Sequence, residues 1–497
     1  MHDAETRPLD RALRAWVDAI GAEHVRFDDA TRTALGRDTR PGGTDVIALL
    51  RPADVREVQA CLRVAREHAL SLHPIGRGRN WGYGASRPPK DGCAVLSLER
   101  MRRVRRFDAE LAWIEIEPGL TFTALAEHLL AAPRLLWPPW TGGPPDGSVV
   151  GHALARGLAT GWVQDVAASV VGLELALADG RIIRTGGAGA LQGLWVRGLG
   201  PDATQLFFQS SLAVVTAMTL QLRPMPARVL PLQFRVDDDD GVAELIDRVR
   251  PSLQGQLLPM QLQLHDDVAQ FAALGLRPDV RGRLSPNERA ALARRWGGER
   301  WGARGALFGD DDEQLADGRR RLERALAGVA TRLRCWPAIT GREHLAARSD
   351  GLSLAWWGRR AEPPAERSPL ADDCGLSWLI AAVPQRGEAL RAALALVDDA
   401  LAAADFDRAA SLRLLDGRAL AMVVPVLFDR ADPAARARAA ECHARLLDRL
   451  ASAGFPPLRL GAGDRAPDGC RDPSLDADLA RALDPAGVVS RGLYTTR

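Results

Sequence analysis

A glycine-rich stretch, HPIGRGRNWGYG, runs from His73 to Gly84 and combines residue types that bind phosphate. Its glycines permit the left-handed backbone and close ligand approach that an anion-binding turn requires. Arg77 and Arg79 add guanidinium donors, whose fork geometry matches phosphate oxygens. The stretch therefore predicts a pyrophosphate cradle, although a tight surface loop would show the same glycines.

A second stretch of this kind, TGGPPDGSVVGHALARG, runs from Thr141 to Gly157 and leads into a predicted helix. The first turn of a helix presents free N–H groups and the positive end of its dipole, which together favour an anion. Two such loops are harder to explain as ordinary turns than one. No GxGxxG opens a βαβ unit, so a Rossmann-type dinucleotide site lacks sequence support.

The surrounding elements must hold these loops. Short apolar runs predict strands, and apolar residues at helical spacing between Val55 and Val64 predict a helix that leads to the strand before the first loop. Asp179-Gly180 predicts a hairpin turn within the segment Val170–Gly186. The strands predicted for this part of the chain are Val46–Leu50, Ser71–Ile75, Ala94–Leu98 and Trp113–Ile116.

The pattern changes after residue 226, where longer strands alternate with Ala/Leu/Arg-rich helices. This alternation predicts a second α+β domain, interrupted by a polar stretch at 266–308. The arginine-rich helices favour solvated faces with i,i+4 partners over nucleic-acid binding. The strands predicted here are Val229–Val236, Leu376–Val383 and Ala419–Phe428, and the helices are Gly241–Val249, Asp310–Ala330, Glu388–Ala404 and Ala434–Gly454.

Composition narrows the class of protein. The chain carries 65 basic and 63 acidic residues, so its net charge implies no polyanion-binding surface. Its six cysteines are scattered without a CxxC motif, which argues against structural zinc and fits a reducing compartment. The first twenty residues lack an apolar signal-peptide core, and no apolar run spans a bilayer. We therefore predict a cytoplasmic protein without a membrane or nucleic-acid partner.

Together these motifs resemble the vanillyl-alcohol oxidase/para-cresol methylhydroxylase flavoprotein family, and its 4-phenol-oxidising branch most of all. PIGRGRNWGYG is similar to the family's first FAD-pyrophosphate loop, and GGPPDGSVVGHALARG to its second. TGWVQDVAASVVGLELALADGRIIRTG resembles the segment beside the flavin ring and the adenosine. GLGPDATQLFFQSSLAVVTAMTLQLRPMP resembles a further segment of the FAD domain, so the resemblance covers roughly residues 46–226.

The resemblance implies an α+β fold of two parts. It has a para-cresol-methylhydroxylase-type FAD-binding domain of two α/β subdomains and an α+β cap domain, whose antiparallel sheet is flanked by helices. The predicted boundaries are a helical lead-in at 1–45, the FAD-binding domain at 46–226, the cap at 227–455, and a C-terminal segment at 456–497 that returns to the FAD domain.

The resemblance also assigns residues to the cofactor. Gly78, Arg79 and Asn80 are expected to hold the pyrophosphate together with residues of the second loop. The full set predicted to bind FAD is Pro74, Ile75, Gly76, Arg77, Gly78, Arg79, Asn80, Gly84, Pro118, Gly142, Gly143, Gly147, Ser148, Gly151, His152, Gly157, Gly161, Asp165, Gly172, Glu174 and Val215.

Three residues are predicted from the resemblance to act in catalysis. Asp165 matches an acidic residue near flavin N5, although the same residue type also caps helices and turns. Tyr83 matches a tyrosine that helps hold the substrate as a phenolate, which eases hydride loss from the para carbon. Arg459 matches the arginine of a Tyr-Arg pair at the phenolate, but its neighbour here is Leu458.

We predict that FAD is bound without a covalent link. The position at which many relatives carry a flavin-linking histidine aligns with Met422, which cannot form that bond. The first glycine loop has Arg79 where another branch places a histidine, and no cysteine occurs between Thr141 and Asp165.

The remaining polar candidates favour structural roles. His73 and His152 flank the two loops and are expected to pack, although either could touch phosphate. His265 with Asp266 and Asp267 fits a solvated loop better than a general-base pair, and His443 is expected at the surface. No metal-ligand pattern occurs.

The sequence thus predicts an FAD-dependent oxidoreductase that takes hydride from a para-substituted phenol or a related benzylic alcohol, within a biosynthetic pathway. A 2-hydroxy-acid or other alcohol dehydrogenase of the same superfamily is the alternative, with a carboxylate at Arg459. A flavin-binding protein without turnover is the alternative from another class. The partners expected are a small-molecule substrate, O₂ or a protein electron acceptor, and a second copy of the chain in a homodimer.

Overall fold

The computed structural model describes residues 8–161, 165–276, 282–296, 300–346, 352–359, 364, 367–490, 492 and 494. Residues 162–164 of the segment predicted to lie beside the flavin, and residues 1–7 of the helical lead-in, are outside these ranges. The helices are α1 (Pro8–Ile20), α2 (Asp29–Leu35), α3 (Val55–Glu67), α4 (Phe122–Leu130), α5 (Val149–Leu154), α6 (Asp239–Gln254), α7 (Asp267–Ala273), α8 (Pro286–Trp296), α9 (Asp312–Leu326), α10 (Gly341–Ala346), α11 (Gly387–Ala403), α12 (Pro433–Ser452) and α13 (Pro473–Leu483).

The strands fall into two groups along the chain. Those before residue 227 are β1 (Val25–Arg26), β2 (Val46–Leu50), β3 (Ser71–Ile75), β4 (Cys93–Ser97), β5 (Val104–Asp108), β6 (Trp113–Ile116), β7 (Leu136–Trp137), β8 (Trp140–Thr141), β9 (Ala159–Thr160), β10 (Val170–Ala176), β11 (Ile182–Arg184), β12 (Val214–Gln221) and β13 (Arg223–Pro224). Those after it are β14 (Arg228–Val236), β15 (Met260–Asp266), β16 (Trp301–Gly309), β17 (Thr331–Cys335), β18 (Cys374–Pro384), β19 (Ser411–Leu414) and β20 (Ala419–Asp429).

The first glycine loop leaves a four-stranded sheet of order β1-β2-β4-β3, in which β2, β4 and β3 are parallel. Helix α3 begins at Asp54, whose carboxylate accepts from the N–H groups of Arg56 and Glu57. Its apolar face packs on β2, β3 and β4 and delivers the chain to β3. The C-terminal segment lies against this sheet as well, because Leu72 N donates to Val488 O at 2.7 Å and Ser490 N donates to Leu72 O at 2.8 Å.

A second sheet, of order β11-β10-β12-β6-β5, carries the hairpin at Asp179-Gly180. Its core holds a buried cluster of glutamates and arginines. Arg105 lies 2.6 Å from Glu174 and 3.0 Å from Glu117, and the hydroxyl of Thr216 donates to Glu174 at 2.9 Å. Charge of both signs is thus paired within the sheet, as burial of ionised groups requires.

The second domain is built on a seven-stranded sheet of order β17-β14-β16-β15-β19-β20-β18, in which every pairing is antiparallel. One face carries Leu232, Leu264, Leu412 and their neighbours, which pack on α6, α9, α11 and α12. The other face is polar at its centre and turns toward the two glycine loops. We call this second domain the cap.

The structure confirms the strands predicted in both domains and the hairpin, with bounds shifted by at most one or two residues. The predicted helices are confirmed too, although each begins or ends a few residues from its predicted limit. The polar stretch predicted at 266–308 is not one loop, because it contains α7, α8 and most of β16. Strands β15, β16, β17 and β19 of the cap were not predicted.

The predictions for Asp266 and His443 were wrong, and the surroundings of Met422 bear on a third. Asp266 is fully buried at the end of β15 and pairs with Arg408, so it does not belong to a solvated loop. His443 is buried, and its Nε2 lies 3.2 Å from Asp464 Oδ1. Met422 points into the helix-packed core, so the cavity-facing positions beside it are Ala421 and Val423.

Candidate functional site

The two glycine loops meet where β3 and α5 approach each other. A Cβ on Gly76 would lie 2.5 Å from the Cβ of Ser148 and 2.9 Å from the carbonyl oxygen of Pro118, which is too close for any side chain. Ser148 Oγ donates to Pro118 O at 2.6 Å and accepts from Gly151 N at 2.9 Å, so it caps α5 and holds the loops together.

The backbone of the first loop is open to an anion. Gly78 has φ +63°, and within the described ranges none of the N–H groups from Arg77 to Asn80 donates to another protein group. Successive unpaired N–H groups beside a helix N-terminus suit a pyrophosphate. The residues present therefore fit the diphosphate of FAD.

The two arginines of the loop also hold it in place. Arg79 Nε donates to Asp146 Oδ2 at 2.8 Å, and Arg77 Nε donates to Asp146 O at 3.3 Å. Both guanidinium groups thus connect the first loop to the second. Their direct contact with phosphate stays a prediction.

Tyr83 and Arg459 lie together at the end of the first loop. The guanidinium carbon of Arg459 is 3.8 Å from the centre of the Tyr83 ring, and Nη2 donates to Asn80 Oδ1 at 3.0 Å. Tyr494 lies near the same place, where its hydroxyl donates to Leu460 O at 3.1 Å, and burial raises its pKa although the positive charge of Arg459 acts against this shift. The sequence predicted the first two residues and missed Tyr494.

The hydroxyl of Tyr83 is buried and has no hydrogen-bond partner in the described structure. Burial raises the pKa of Tyr83, and the opposing charge of Arg459 does not offset it. Tyr83 is therefore a protonated donor and cannot act as a base near neutral pH. An oxygen anion in the cavity would accept a hydrogen bond from this unpaired hydroxyl group.

His152 contributes a second unpaired atom, since its Nε2 is buried without a partner. The ring packs edge-on against Phe122, 5.3 Å between centroids, and fills the space that a Cβ at Gly157 would need. Burial lowers the pKa of His152 to about 3, and the charges of Arg459 and Arg413 add to this effect. The imidazole is therefore neutral in the physiological range.

Arg413 on β19 completes the cavity, and the sequence did not predict it. Its Nη1 donates to Ala159 O at 3.1 Å and Leu158 O at 3.3 Å, and a Cβ on Gly142 would lie 3.2 Å from Nη2. With the amide of Gln263 turned so that its oxygen accepts, Nε and Nη2 both donate to it at 3.2 Å. Burial lowers the pKa of Arg413 to about 10, and the nearby Tyr83 opposes this shift.

Gln209 borders the cavity in a strained conformation. Its φ is +48°, which is uncommon for a residue with a side chain. The amide Nε2 donates to Leu458 O at 2.8 Å and thereby ties the segment before β12 to the residue that precedes Arg459. Strain of this type persists where the surrounding contacts enforce it.

The two arginines at the cavity lack a neighbouring carboxylate partner in the described part of the chain. Neither Arg413 nor Arg459 forms an ion pair with a carboxylate of the described residues. Arg408 in the cap core shows the usual arrangement, because it contacts the carboxylates of Asp239, Asp266 and Asp398. Two arginines without a carboxylate, beside an unpaired phenol hydroxyl, form a site for an anionic oxygen.

Asp165 adopts the arrangement of a turn cap. Its Oδ1 accepts from Ala168 N at 3.1 Å, and the side chain is exposed. The predicted role of Asp165 at flavin N5 is neither supported nor excluded by this contact, so it stays a prediction.

The other residues predicted for FAD differ in their surroundings. Glu174 already accepts from Arg105 and Thr216, so its carboxylate is occupied. Gly172 approaches Thr185 O, and Gly84 approaches Ala462, so both glycines serve close backbone packing. The remaining predicted positions lie on the loops, strands and turns around the cradle, namely Pro74, Ile75, Gly143, Gly147, Gly161 and Val215.

A set of buried hydrogen bonds and an ion pair, which we call the clamp, holds the first loop in place. Thr39 Oγ1 accepts from Gly82 N at 2.8 Å and donates to Leu376 O at 3.1 Å. Arg40 pairs with Asp464 and also donates to Ala462 O at 3.0 Å. The segment before β2 and the C-terminal segment therefore fix the loop between the two domains.

Comparison with known proteins agrees with this geometry. A family model described as an FAD binding domain matches residues 46–186. The 1'-carboxy-chondrochloren decarboxylase of Chondromyces crocatus is 33% identical across 99% of this chain and 98% of its own length. The 4-cresol dehydrogenase [hydroxylating] flavoprotein subunit of Pseudomonas putida is 22% identical across 90% of this chain and 87% of its own.

Solved structures show the same fold. The 4-ethylphenol oxidase from Gulosibacter chungangensis, in complex with isoeugenol, superposes with a TM-score of 0.87 at 23% identity, over 99% of this chain and 98% of that one. The likeness extends over both domains, which confirms the predicted α+β fold.

The chain belongs to the para-cresol methylhydroxylase-type family of FAD-binding oxidoreductases. It is an FAD-dependent enzyme, as the sequence predicted. In the part of the chain that the structure describes, no helix combines the length and apolarity needed to cross a bilayer. Over the same residues, His, Cys, Asp and Glu form no group suited to a metal ion.

Proposed function

We propose that the enzyme oxidises a para-substituted phenol, bound as a phenolate at Arg459, Tyr83 and Arg413. The observation that carries this proposal is the unpaired hydroxyl of Tyr83 beside two arginines that lack a carboxylate partner. The relatives named for 4-cresol and 4-ethylphenol support the substrate class.

Each residue then has a defined task. Arg459 stabilises the phenolate by charge, and Tyr83 donates a hydrogen bond to the same oxygen. Electron density from the phenolate moves toward the para substituent and weakens the benzylic C–H bond. Bound FAD supplies the acceptor of the hydride. Trp378, which contacts Gly82 across the domain boundary, narrows the cavity from the cap side.

Tyr494 compensates for Leu458. The tyrosine that the sequence comparison expected beside Arg459 is absent, but the structure brings the hydroxyl of Tyr494 to Arg459 from the C-terminal segment. We propose that Tyr494, held by its bond to Leu460 O, supplies the polar neighbour of Arg459 that position 458 lacks.

The ionisation of a bound phenol tests this proposal. 4-Hydroxybenzaldehyde should bind to the holoenzyme with an apparent pKa about 1 unit below its value in solution, because Arg459 and Arg413 favour the anion. Difference absorbance across a pH series measures the shift. 4-Methoxybenzaldehyde, which cannot ionise, is the matched control. An unchanged pKa for the bound phenol would contradict the proposed site.

A substrate carboxylate is the second candidate for the same cations. The Chondromyces crocatus relative is named as a decarboxylase of 1'-carboxy-chondrochloren, and Arg413 is suited to a carboxylate. For a 4-alkylphenol with a carboxylate on the carbon next to the benzylic carbon, we propose that hydride leaves the benzylic carbon for bound FAD, the carboxylate leaves as CO₂, and a double bond forms between the two carbons. Release of CO₂ with each reduced flavin separates this reaction from simple phenol oxidation. A 2-hydroxy acid is the remaining alternative, and it would reduce the flavin without a phenol group.

We also propose that FAD is held without a covalent bond. Ala421, Met422 and Val423 occupy the strand at which the resemblance expects a linking histidine, and none of them can form that bond. Acid precipitation of the holoenzyme should leave the flavin in the supernatant, whereas colour in the pellet would show a covalent link.

A further inference from the structure

A row of alternating arginine and glutamine side chains crosses five adjacent strands of the cap sheet. Its members are Arg334, Gln233, Arg304, Gln263 and Arg413, each directly paired with the next. Residues that pair directly in antiparallel strands point to the same face of the sheet. We call this set the arginine row; it lies on the face opposite the helices.

The arginine row runs from the cavity to the surface. Arg413 is partly buried under the second glycine loop, whereas Arg304 and Arg334 are exposed. Arg334 stacks on Trp336, with its guanidinium carbon 4.9 Å from the ring centre. Across the described residues, none of these three arginines forms an ion pair. Positive charge therefore extends from the candidate site to the surface, and these three arginines have no ion-pair partner among the described residues.

The spacing of the row is set by the sheet. Arg413 and Arg304 are two strands apart, so their backbones are about 10 Å apart at the usual strand spacing. His265 lies between them on the same face, in the neighbouring position of β15. Burial lowers the pKa of His265 to about 4, and both Arg413 and Arg304 contribute to this shift. Arg413 and Arg304 thus belong to one continuous polar surface on this face of the sheet.

We propose that the arginine row is a second subsite, which binds an anionic group on the tail of an extended substrate. The anion is placed at Arg304, whose backbone lies about 10 Å from that of Arg413. Gln263 separates the two positions and offers an amide to a polar chain. The proposal rests on the proposed function, which defines the inner end of the substrate.

Calorimetric titration of the pre-reduced holoenzyme tests the subsite without turnover. The probes are 8-(4-hydroxyphenyl)octanoate, its methyl ester and 4-ethylphenol. The acid should bind about fivefold tighter than the ester, as expected for a partly exposed ion pair. Arg304→Gln should abolish this preference and leave the affinity for 4-ethylphenol unchanged.

Arg320→Gln provides the matched control. Arg320 lies on α9 on the opposite side of the sheet, is exposed, and pairs with Asp317 at 3.4 Å. This variant should keep the fivefold preference, since only long-range charge is altered. Equal binding of acid and ester by the wild type would overturn the subsite. A similar loss in both variants, or equal weakening of all three probes by Arg304→Gln, would overturn it as well.

A separate outcome concerns the proposed function. If 4-ethylphenol does not bind, the proposed phenol site is wrong. The affinity for decanedioate is then compared with that for decanoate, which tests the arginine row without a phenol. A preference for decanedioate that Arg304→Gln removes supports the row independently. No preference in the wild type overturns it.

Discussion

Only two tyrosines occur in the chain, and the fold brings both of them to Arg459. Tyr83 reaches it from the first glycine loop, and Tyr494 reaches it from the C-terminal segment. The unpaired hydroxyl belongs to Tyr83, whereas Tyr494 already bonds to Leu460 O. We therefore propose that Tyr83 contacts the substrate and that Tyr494 lines the same site without contacting the substrate.

Substitution of Tyr83 by Phe should separate these roles. Loss of a hydrogen bond to a charged oxygen costs about 2 kcal/mol, so the rate of flavin reduction by 4-ethylphenol should fall by about 30-fold. Anaerobic rapid mixing measures this rate. Tyr494→Phe should have a smaller effect, because its hydroxyl does not face an empty position. Equal rates for Tyr83→Phe and the wild type would remove Tyr83 from the site.

At the scale of elements, the two glycine loops could be recognised from composition because a close approach to phosphate requires glycine. The strands that carry apolar residues on both faces, such as β2 and β4, could also be predicted. Strands β15 and β19 alternate apolar and polar residues, which is typical of a half-buried strand, so they could have been predicted, but the pattern does not show whether the polar face meets a cavity or solvent. Arg413 was missed for this reason, since alternation does not distinguish an internal cavity from bulk water.

Gly76→Ala tests how the loops are joined. The new methyl group would lie 2.5 Å from Ser148 Cβ and would force the loops apart, so FAD affinity should fall at least tenfold. Fluorescence titration of the apoprotein with FAD measures this affinity. Gly318→Ala in α9 is the control, because its nearest side-chain atom would be 3.6 Å away. Unchanged FAD affinity in Gly76→Ala would place the cofactor elsewhere.

At the scale of the molecule, the chain ends join the two domains around the first loop. Asp464 in the C-terminal segment pairs with Arg40 from the N-terminal segment and accepts from Gly461 N at 2.7 Å. Burial by itself raises the pKa of Asp464, but bonds from His443 and Arg40 outweigh it and lower the pKa to about 2. The sequence could not predict this clamp, because its members are more than 420 residues apart.

Asp464→Asn should destabilise the protein by about 3 kcal/mol, because Arg40 would remain buried without its counter-ion. The stability that Asp464 contributes is present above its ordinary pKa of 3.8 and is lost as the pH falls toward 2. Urea unfolding at neutral pH and at pH 3 measures both effects. Asp317→Asn, at the surface of α9, should match the wild type. A wild-type midpoint for Asp464→Asn would show that the clamp does not stabilise the fold.

We propose that this flavoenzyme takes hydride from a phenol held as its anion. Anaerobic addition of 4-ethylphenol to the oxidised holoenzyme separates this reaction from the alternatives, with the visible flavin bands as the signal. These bands should bleach with 4-ethylphenol and persist with 4-ethylanisole, whose oxygen cannot ionise. Bleaching by 4-ethylanisole as well as by 4-ethylphenol would contradict the requirement for a phenolate. If neither 4-ethylphenol nor a carboxylated 4-alkylphenol bleached the flavin, the proposed hydride transfer from a phenol would be wrong.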